Sequence, residues 1–358
     1  MENVLFSSFK VRGLDLANRI VMSPMTRGAS PNGIPTEQVA RYYAARARGG
    51  VGLITTEAIA VDRPFSANNQ GIPNLHHADA ITGWRAVVDA VHAAGGRIFA
   101  QLWHCGQQQP MDPLFAEGIP YESPQTMSDR DIEDTISAFG WAARRAKEVG
   151  FDGVEIHGAN GYLVDQFLWS KTNTRQDQWG GSIANRVRFG AALVSEIKRQ
   201  TGVDFPLSFR FSQFKLSDYQ GRLADTPQEL EQILTPLADA GVDIFHASQR
   251  RFWNPEFDGS SLNLAGWAKK LTGKIATSVG SVGLEGPDTG DLLAHTGGSA
   301  QVGSLEQVEE RLAKGEFDLI AVGRALLTDA QWANKVREGR LSELRGFEVQ
   351  SLHSLVDA

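Results

Sequence analysis

Short runs of apolar residues recur along the chain, and after most of these runs the apolar residues are spaced with the period of a helix. The runs are apolar almost throughout instead of alternating with polar residues, which is typical of strands buried on both faces of a parallel sheet. This pattern predicts eight strands, at residues 20–23, 51–56, 97–102, 153–157, 206–211, 243–247, 274–278 and 318–322.

The helical segments between these strands tend to end at glycine, as at Gly150 and Gly241. Glycine readily adopts the left-handed conformation that ends a helix. Eight strand–helix units predict an α/β fold, a (β/α)8 TIM barrel, as a single domain over residues 1–358. The clearest helices are predicted at residues 36–48, 80–93, 131–149, 183–200, 227–240 and 305–314.

A doubly wound parallel sheet is the alternative fold, since it also alternates strands and helices. Such sheets usually carry a glycine-rich phosphate-binding turn after the first strand. Here the first strand is followed by Pro24, Met25, Thr26 and Arg27, and the pattern G-x-G-x-x-G occurs nowhere in the chain. The barrel is therefore favoured.

Three segments are expected to decorate the barrel. Residues 5–18 have the pattern of a hairpin with its turn at Arg12 and Gly13, which would cap the bottom of the barrel. Long loops are predicted after the third strand, at residues 107–128, and after the seventh, at residues 280–303. Long loops in a compact domain are usually functional lids or insertions.

The composition excludes several classes of protein. The 358 residues include 42 acidic and 35 basic side chains, and a net charge of −7 argues against a nucleic-acid partner. The single cysteine, Cys105, excludes a disulfide framework, a cysteine-rich zinc module and a four-cysteine iron–sulfur cluster. No signal-peptide pattern or long apolar run is present, so we expect a cytoplasmic protein with no membrane partner.

In a barrel of this type the active site lies at the carboxyl ends of the strands. The only acidic residues predicted nearby are Glu57 and Glu155. The lack of a carboxylate cluster disfavours glycoside hydrolysis and a hard metal ion, so we expect no metal. No lysine is predicted at a strand end, which disfavours Schiff-base aldolase chemistry.

Three polar residues follow the fourth predicted strand. His157 and Asn160 are three residues apart, so on a helical turn they would share a face and could donate hydrogen bonds to one substrate oxygen. Two such donors stabilise an enolate-like transition state, and Tyr162 on the same turn could supply a proton. Alternatively, Asn160 caps a helix, and the histidine and tyrosine are half-buried packing residues.

Two other strand ends have the residue types of a phosphate site. Gly280 and Ser281 follow the seventh strand, and Gly323 and Arg324 follow the eighth. Backbone N–H groups at small residues can approach a phosphate closely, and arginine can bind it with two hydrogen bonds. The alternative is a surface arginine after a glycine that ends its strand.

Further polar and aromatic side chains are expected at the same end of the barrel. Gln101 and Arg210 end the third and fifth predicted strands, and Thr26 follows the first. A flat heterocycle with carbonyl and imide edges would satisfy the hydrogen-bonding groups of these side chains. Alternatively, each side chain bonds to a loop carbonyl. Aromatic residues there would cover a planar ligand or anchor loops; they are Trp103, Phe252, Trp253 and Phe257. Structural or solvated roles are expected for His76, His77 and His104, and no reactive role for Cys105.

The stretches around these residues resemble the Old Yellow Enzyme family of FMN-dependent ene-reductases. The most specific are Gln-Leu-Trp-His at residues 101–104 and His-Gly-Ala-Asn-Gly-Tyr at residues 157–162, and the resemblance extends over nearly the whole chain. It implies a (β/α)8 barrel that holds FMN non-covalently and uses NAD(P)H as reductant. The chain departs from the family at Gln107, where arginine is commoner, and in its longer segment 280–303.

The resemblance also implies roles for individual residues. The flavin ring would be lined by Pro24, Met25, Thr26, Ala58, Gln101 and Arg210, and the phosphate end served by Gly280, Ser281, Gly323 and Arg324. His157 and Asn160 would bind the activating oxygen of the substrate, and Tyr162 would deliver the proton. Trp103 would line the substrate pocket, together with Trp253 or Phe257.

The implied reaction is the reduction of an α,β-unsaturated carbonyl or nitro compound, with hydride transferred to the β carbon and a proton to the α carbon. The partner would be this small molecule, and the protein would be a monomer or homodimer. Three other interpretations stay open: a relative of dienoyl-CoA reductase, which the single cysteine disfavours; a non-catalytic flavin-binding barrel; and a non-redox barrel such as an aldolase or isomerase.

Overall fold

Eight parallel strands close into a barrel in the computed structural model, which describes residues 3–108, 118, 121–288, 290–291 and 297–355. Each barrel strand pairs with the next along the chain, and the last pairs with the first through Ile320 and Ile20. The barrel strands are β3 (Ile20–Met22), β4 (Leu53–Ala60), β5 (Ile98–Trp103), β6 (Gly153–Asn160), β7 (Leu207–Lys215), β8 (Ile244–Ser248), β9 (Ile275–Val279) and β12 (Leu319–Val322). The predicted (β/α)8 fold is confirmed.

Helices alternate with the barrel strands and surround them. Ser128 and Asp131 form a capping box at the start of the third helix, and Gly150, with φ of +112°, ends it as predicted. The helices are α1 (Glu37–Arg48), α2 (Ala78–Ala93), α3 (Asp129–Val149), α4 (Leu163–Leu168), α5 (Ile183–Thr201), α6 (Pro227–Ala240), α7 (Leu264–Thr272), α8 (Glu306–Ala313), α9 (Arg324–Thr328) and α10 (Trp332–Arg337). None of the helices in the described ranges has the length and apolar character needed to cross a membrane.

The N-terminal hairpin closes the bottom of the barrel, as predicted. Its strands are β1 (Phe9–Val11) and β2 (Leu14–Leu16), and Arg12 in the turn has a φ of +53°. Val11 and Leu16 are buried in one apolar cluster with residues of the barrel strands, including Phe99. This packing removes the lower end of the barrel from water, and the upper end, here called the mouth, remains for a ligand.

Long loops surround the mouth. The loop after β4, residues 61–77, is shorter than the gap between the predicted strand 51–56 and the predicted helix 80–93, because β4 continues to Ala60. In the predicted loop 107–128, residues 109–117, 119 and 120 lie outside the described residues, and in the loop 280–303 so do 289 and 292–296. The second of these loops contains a small ladder of β10 (Leu284–Glu285) and β11 (Gln301–Val302).

Candidate active site

His157 and Asn160 lie on a strand, so the predicted helical turn is wrong. Both belong to β6, where residues three apart would normally point to opposite faces. The β6–β7 register shifts between Gly158 and Asn160, and Asn160 has a left-handed φ of +64°. The additional residues of this irregularity lie on β7, between Phe211 and Lys215, so the left-handed backbone of Asn160 itself is what breaks the alternation of side chains along β6.

The Asn160 and Arg210 side chains meet at the mouth through a serine. Ser248 Oγ accepts a hydrogen bond from Arg210 Nη2 at 3.0 Å and donates one to Asn160 Oδ1 at 3.4 Å. With its oxygen used in this way, Asn160 has its amide N–H groups available for a ligand. Asn160 and Ser248 are the last residues of β6 and β8, whereas Arg210 is the fourth of the nine residues of β7, so the prediction that Arg210 ends its strand is wrong.

His157 is arranged to donate a hydrogen bond as a neutral imidazole. Its Nδ1 accepts from the backbone N–H of Ala159 at 3.4 Å, which assigns the ring proton to Nε2. Burial, reinforced by the positive charge of Arg210, lowers the pKa of His157 to about 3. The imidazole therefore stays neutral and keeps one N–H donor at physiological pH.

Tyr162 immediately precedes α4 and packs among aromatic rings. Its ring lies edge-on to His157, with centroids 4.8 Å apart, and to Trp103, with centroids 5.1 Å apart. Burial raises the pKa of Tyr162 to about 12, so the hydroxyl keeps its proton. Its apolar surroundings include Ala58 and Cys105.

Glu155 anchors the polar floor of the mouth. Its Oε1 accepts from Gln101 Nε2 at 2.9 Å, and its Oε2 accepts from Ser208 Oγ at 2.8 Å and contacts His246 Nδ1 at 2.9 Å. His246 Nε2 in turn lies 3.2 Å from Arg210 Nη1. Burial alone would raise the pKa of Glu155, but His246 and Arg210 hold it well below its usual range, so the carboxylate compensates the buried guanidinium.

The Arg210 guanidinium fits a flavin. Arg210 is 8% exposed, and its Nε–H has no hydrogen-bond partner among the described residues. A buried donor without a partner is costly, and a ring carbonyl or ring nitrogen of FMN would satisfy it. Ala58 and Gln101 stand side by side on β4 and β5, which places both predicted ring contacts at the same level of the barrel.

The loop after β3, which carries Pro24, Met25 and Thr26, is held in place by a buried carboxylate. Glu57 Oε2 accepts from the backbone N–H groups of Arg27 at 2.8 Å and Gly28 at 2.9 Å. Burial raises the pKa of Glu57 to about 7. The structure leaves Pro24 and Met25 half-buried and Thr26 exposed at this edge.

The predicted phosphate residues come together. Arg324 Nη2 donates to Ser281 Oγ at 3.1 Å, and Arg324 Nη1 donates to the carbonyl of Pro287 at 2.6 Å. The nearby Asp288 pairs with Arg250 at 2.9 Å instead, so the largely buried Arg324 guanidinium keeps spare donors for a phosphate.

Gly280 is required by packing within the chain, because its φ is +137° and a Cβ there would lie 2.8 Å from the carbonyl oxygen of Gln249. Gly323 lies beside the flavin-loop residue Met25: a Cβ built on Gly323 would meet Met25 Sδ at 3.5 Å. The two predicted glycines directly follow β9 and β12 and precede Ser281 and Arg324. The hydrogen-bond donors of Arg324 and Ser281 fit the phosphate of FMN.

The two candidate loop aromatics make their contacts away from Tyr162. Phe257 is buried against Trp267 of α7, with centroids 5.5 Å apart. Trp253 lies edge-on to Phe252 at 5.1 Å. Whether either contacts substrate stays a prediction.

Sequence reasoning missed several residues that the structure places at the site. Glu155 is predicted to lie nearby but is given no role; it stands two residues before His157 on the same strand, so alternation could have identified it as facing the same way. His246 and Ser248 share this relationship on β8. Tyr219, in the loop after β7, has a buried hydroxyl with no hydrogen-bond partner among the described residues, and it contributes to the raised pKa of Tyr162.

His104 and Cys105 have structural roles. His104 is buried and its Nε2 lies 2.6 Å from Glu122 Oε2, and Glu122 also pairs with Arg63. This cluster ties the loop after β5 to the loop after β4. Burial raises the pKa of Cys105 to about 12, so its thiol is not activated. No group of three or more side chains suited to a metal ion is found among the described residues.

The chain matches the NADH:flavin oxidoreductase / NADH oxidase family over residues 4–281. The chain belongs to this family. A solved structure, that of the old yellow enzyme homologue from Zymomonas mobilis, superposes with a TM-score of 0.78 at 25% identity, covering 98% of this chain and 96% of that chain. The resemblance to Old Yellow Enzyme is thereby confirmed, and with it FMN as the cofactor and NAD(P)H as its reductant.

Two curated relatives extend this comparison. The chain is 35% identical over 353 residues to an NADH oxidase of Thermoanaerobacter brockii. The matched region covers 95% of this chain but only 52% of that protein. It is 36% identical over 344 residues to an NADPH dehydrogenase of Halalkalibacterium halodurans, with 93% of each protein covered. The chain thus spans about half the length of the first relative and nearly the whole length of the second.

Proposed function

We propose that this family member is an FMN-dependent ene-reductase that uses NAD(P)H to reduce α,β-unsaturated carbonyl or nitro compounds. The observation that carries the proposal is the arrangement on and after β6: the neutral His157, the Asn160 amide and the protonated Tyr162 lie on one short segment. This segment borders Arg210, whose unpartnered Nε–H suits the flavin.

The two donors hold the oxygen of the substrate. His157 Nε2–H and the Asn160 amide N–H groups are positioned to hydrogen-bond a carbonyl or nitro oxygen, and they bind more strongly as negative charge develops there. Because His157 is neutral, it polarises the oxygen without surrendering a proton to it. The substrate is thereby oriented with its double bond over the barrel mouth.

Tyr162 supplies the proton. FMN, when bound, would supply the hydride transfer that carries reducing equivalents from NAD(P)H to the β carbon of the substrate. The Tyr162 hydroxyl gives its proton to the α carbon, and the proton is then replaced from water, so that one electron pair and two hydrogens are added to the C=C bond. A phenol with a pKa of about 12 keeps this proton until the carbanion-like centre develops.

The ring and phosphate ends of the cofactor would be held by separate groups. Gln101 and Arg210, both fixed through the Glu155 network, would bind the ring edge. Arg324 and Ser281 would bind the phosphate. The cytoplasmic location and the state as monomer or homodimer stay predictions.

Anaerobic stopped-flow experiments on the purified yellow protein test the proposal. NADH or NADPH should bleach the flavin absorbance, and 2-cyclohexenone or a nitroalkene should restore it with formation of the saturated product. A protein that binds FMN and is reduced by NAD(P)H, but is reoxidised by no enone or nitroalkene, would contradict the proposed substrate class. A protein that binds no FMN would contradict the proposal as a whole.

A further inference from the structure

A fully buried ion pair lies behind the Tyr162 segment. Lys215 is the last residue of β7, so the prediction that no lysine stands at a strand end is wrong. Its Nζ is 2.7 Å from Asp165 Oδ1 on α4, and both side chains have an exposed fraction of 0%. From the contacts described below, we infer that this pair positions the Tyr162 hydroxyl for proton transfer. The inference rests on the function proposed above.

The segment that the pair supports has an unfavourable backbone conformation. Asn160 and the following Gly161 have φ of +64° and +89°, so two successive residues are left-handed directly before Tyr162. This conformation is disfavoured for a residue other than glycine, although less for asparagine than for most residues, so the surroundings must hold it. The direction in which the chain leaves this turn determines where the Tyr162 ring lies.

Asp165 holds the turn directly. Its Oδ2 accepts a hydrogen bond from the Gly161 backbone N–H at 2.7 Å, while its Oδ1 faces the ammonium. The carboxylate thus uses one oxygen for the turn and the other for Lys215. A charged acceptor makes the hydrogen bond from Gly161 stronger than a neutral one would.

Lys215 connects this carboxylate to β7. Its Nζ also donates to the carbonyl of Ser212 at 3.1 Å, and Ser212 Oγ accepts from the Asn160 backbone N–H at 2.8 Å. Burial raises the pKa of Asp165 and lowers that of Lys215, and each opposes the shift of the other. Without the ammonium, the carboxylate would tend to protonate and its hold on Gly161 would weaken.

Stability alone does not account for such a pair. Replacing a fully buried ion pair by apolar residues is often neutral or stabilising, because the two charges lose their hydration. The pair is instead placed where it fixes the geometry of one peptide unit, that of Gly161, next to the proton donor. Lys215 and Asp165 are therefore positioning residues, since neither touches the reacting atoms.

The chain contains a matched control at the opposite end of the barrel. Lys198 Nζ lies 2.7 Å from Asp243 Oδ2, and that oxygen also accepts the backbone N–H of Leu207 at 3.0 Å. This pair is also buried, but it lies where β7 and β8 begin, and Asp243 has a second cationic partner because Arg12 Nε donates to its Oδ1 at 2.6 Å. Lys198→Met therefore controls for the loss of a buried ammonium far from Tyr162. We compare Lys215→Met and Asp165→Asn with Lys198→Met in the FMN-loaded protein.

Hydrogen exchange measures the position of the turn without reference to activity. In Lys215→Met and Asp165→Asn, the peptide containing Gly161 should exchange faster by about tenfold or more, whereas in Lys198→Met it should exchange as in the parent protein. If Lys215→Met does not fold, the inference is tested by Asp165→Asn, which preserves the shape of the side chain. Parent-like protection of Gly161 in the folded variants overturns the inference.

The half-reactions then separate positioning from a general structural role. Reoxidation by 2-cyclohexenone, which needs the proton of Tyr162, should slow by about 10–100-fold in both variants, while reduction by NADPH and reoxidation by ferricyanide change less than about threefold. Equal losses in all three reactions, or parent-like rates with the enone, overturn the inference and leave the proposed function intact. If the parent protein itself reduces no enone, the proposed function is contradicted. Hydrogen exchange at Gly161 then remains the test of whether the ion pair positions the turn.

Discussion

The ring of Tyr162 lies edge-on to the ring of His157, with centroids 4.8 Å apart and an interplanar angle of 79°. The contact joins the proposed proton donor to one of the two proposed oxygen-binding groups. Because Trp103 also packs edge-on against Tyr162, the phenol ring is held independently of its hydroxyl. Removing the hydroxyl should therefore affect chemistry more than structure.

Tyr162→Phe should slow flavin reoxidation by 2-cyclohexenone by about 10²–10⁴-fold, the range typical of losing one general acid. Reduction of the flavin by NAD(P)H needs no proton from this residue and should change little. Both rates are measured by anaerobic stopped-flow absorbance. The exposed Tyr121 provides the control, since Tyr121→Phe should change neither rate. Unchanged enone turnover in Tyr162→Phe would show that the proton comes from elsewhere.

His157→Ala and Asn160→Gly should each slow the enone half-reaction by about 10²–10³-fold, as expected for one lost oxyanion donor. Glycine is the better truncation at Asn160, because alanine would be strained at its φ of +64°. Both variants should also bind a simple phenol more weakly, which a titration followed by flavin absorbance measures. Phenol binding as tight as in the parent protein would argue against the two donors.

The enone half-reaction should be nearly independent of pH between about pH 5 and about pH 9. Burial holds the pKa of His157 at about 3 and that of Tyr162 at about 12, so neither group changes protonation in this interval. The lowered pKa of His157 contributes stability that is present above about pH 6.5 and is lost as the pH falls towards 3. A step in the half-reaction rate near pH 6.5 would show an exposed, ordinary histidine.

Arg324→Met should weaken FMN binding by about 10–100-fold, corresponding to the loss of charge-assisted hydrogen bonds. Riboflavin, which has the same ring but no phosphate, should bind equally well to parent and variant. Fluorescence titration of the apoprotein with each flavin measures this difference. If both flavins lose affinity equally, Arg324 supports the fold of this corner and not the phosphate.

Glu57→Gln should flatten the pH dependence of stability. The folded-state pKa of Glu57, about 7, is above its ordinary value of 4.5, so its contribution is fully present below pH 4.5 and is lost as the pH rises through 7. The amide can still accept from Arg27 and Gly28, so the variant should gain about 1–3 kcal/mol over the parent at pH 8 but not at pH 4.5. Urea unfolding at the two pH values measures the gain, with the exposed Glu37→Gln as control. An equal difference at both pH values would contradict the assignment.

The sequence by itself determined the repeating architecture. Apolar runs, helical periods and glycine stops are local properties, and they identified the eight barrel strands, the hairpin with its turn at Arg12 and the main helices around the barrel. The rule that barrel sites lie at strand ends then selected Gln101, Arg210 and Arg324 as candidates. Of these predictions, the barrel and the cofactor are confirmed, while the individual site residues stay predictions.

Only the tertiary structure decided the conformation of residues 157–162 and the groups that hold them. Asn160 is left-handed where the β6–β7 register shifts, and the contact of Asp165 with Lys215 spans 50 residues of sequence. Likewise Glu155 contacts His246 91 residues away. Such pairs depend on the register that barrel closure imposes on all eight strands at once, and no local period or turn signal contains that information.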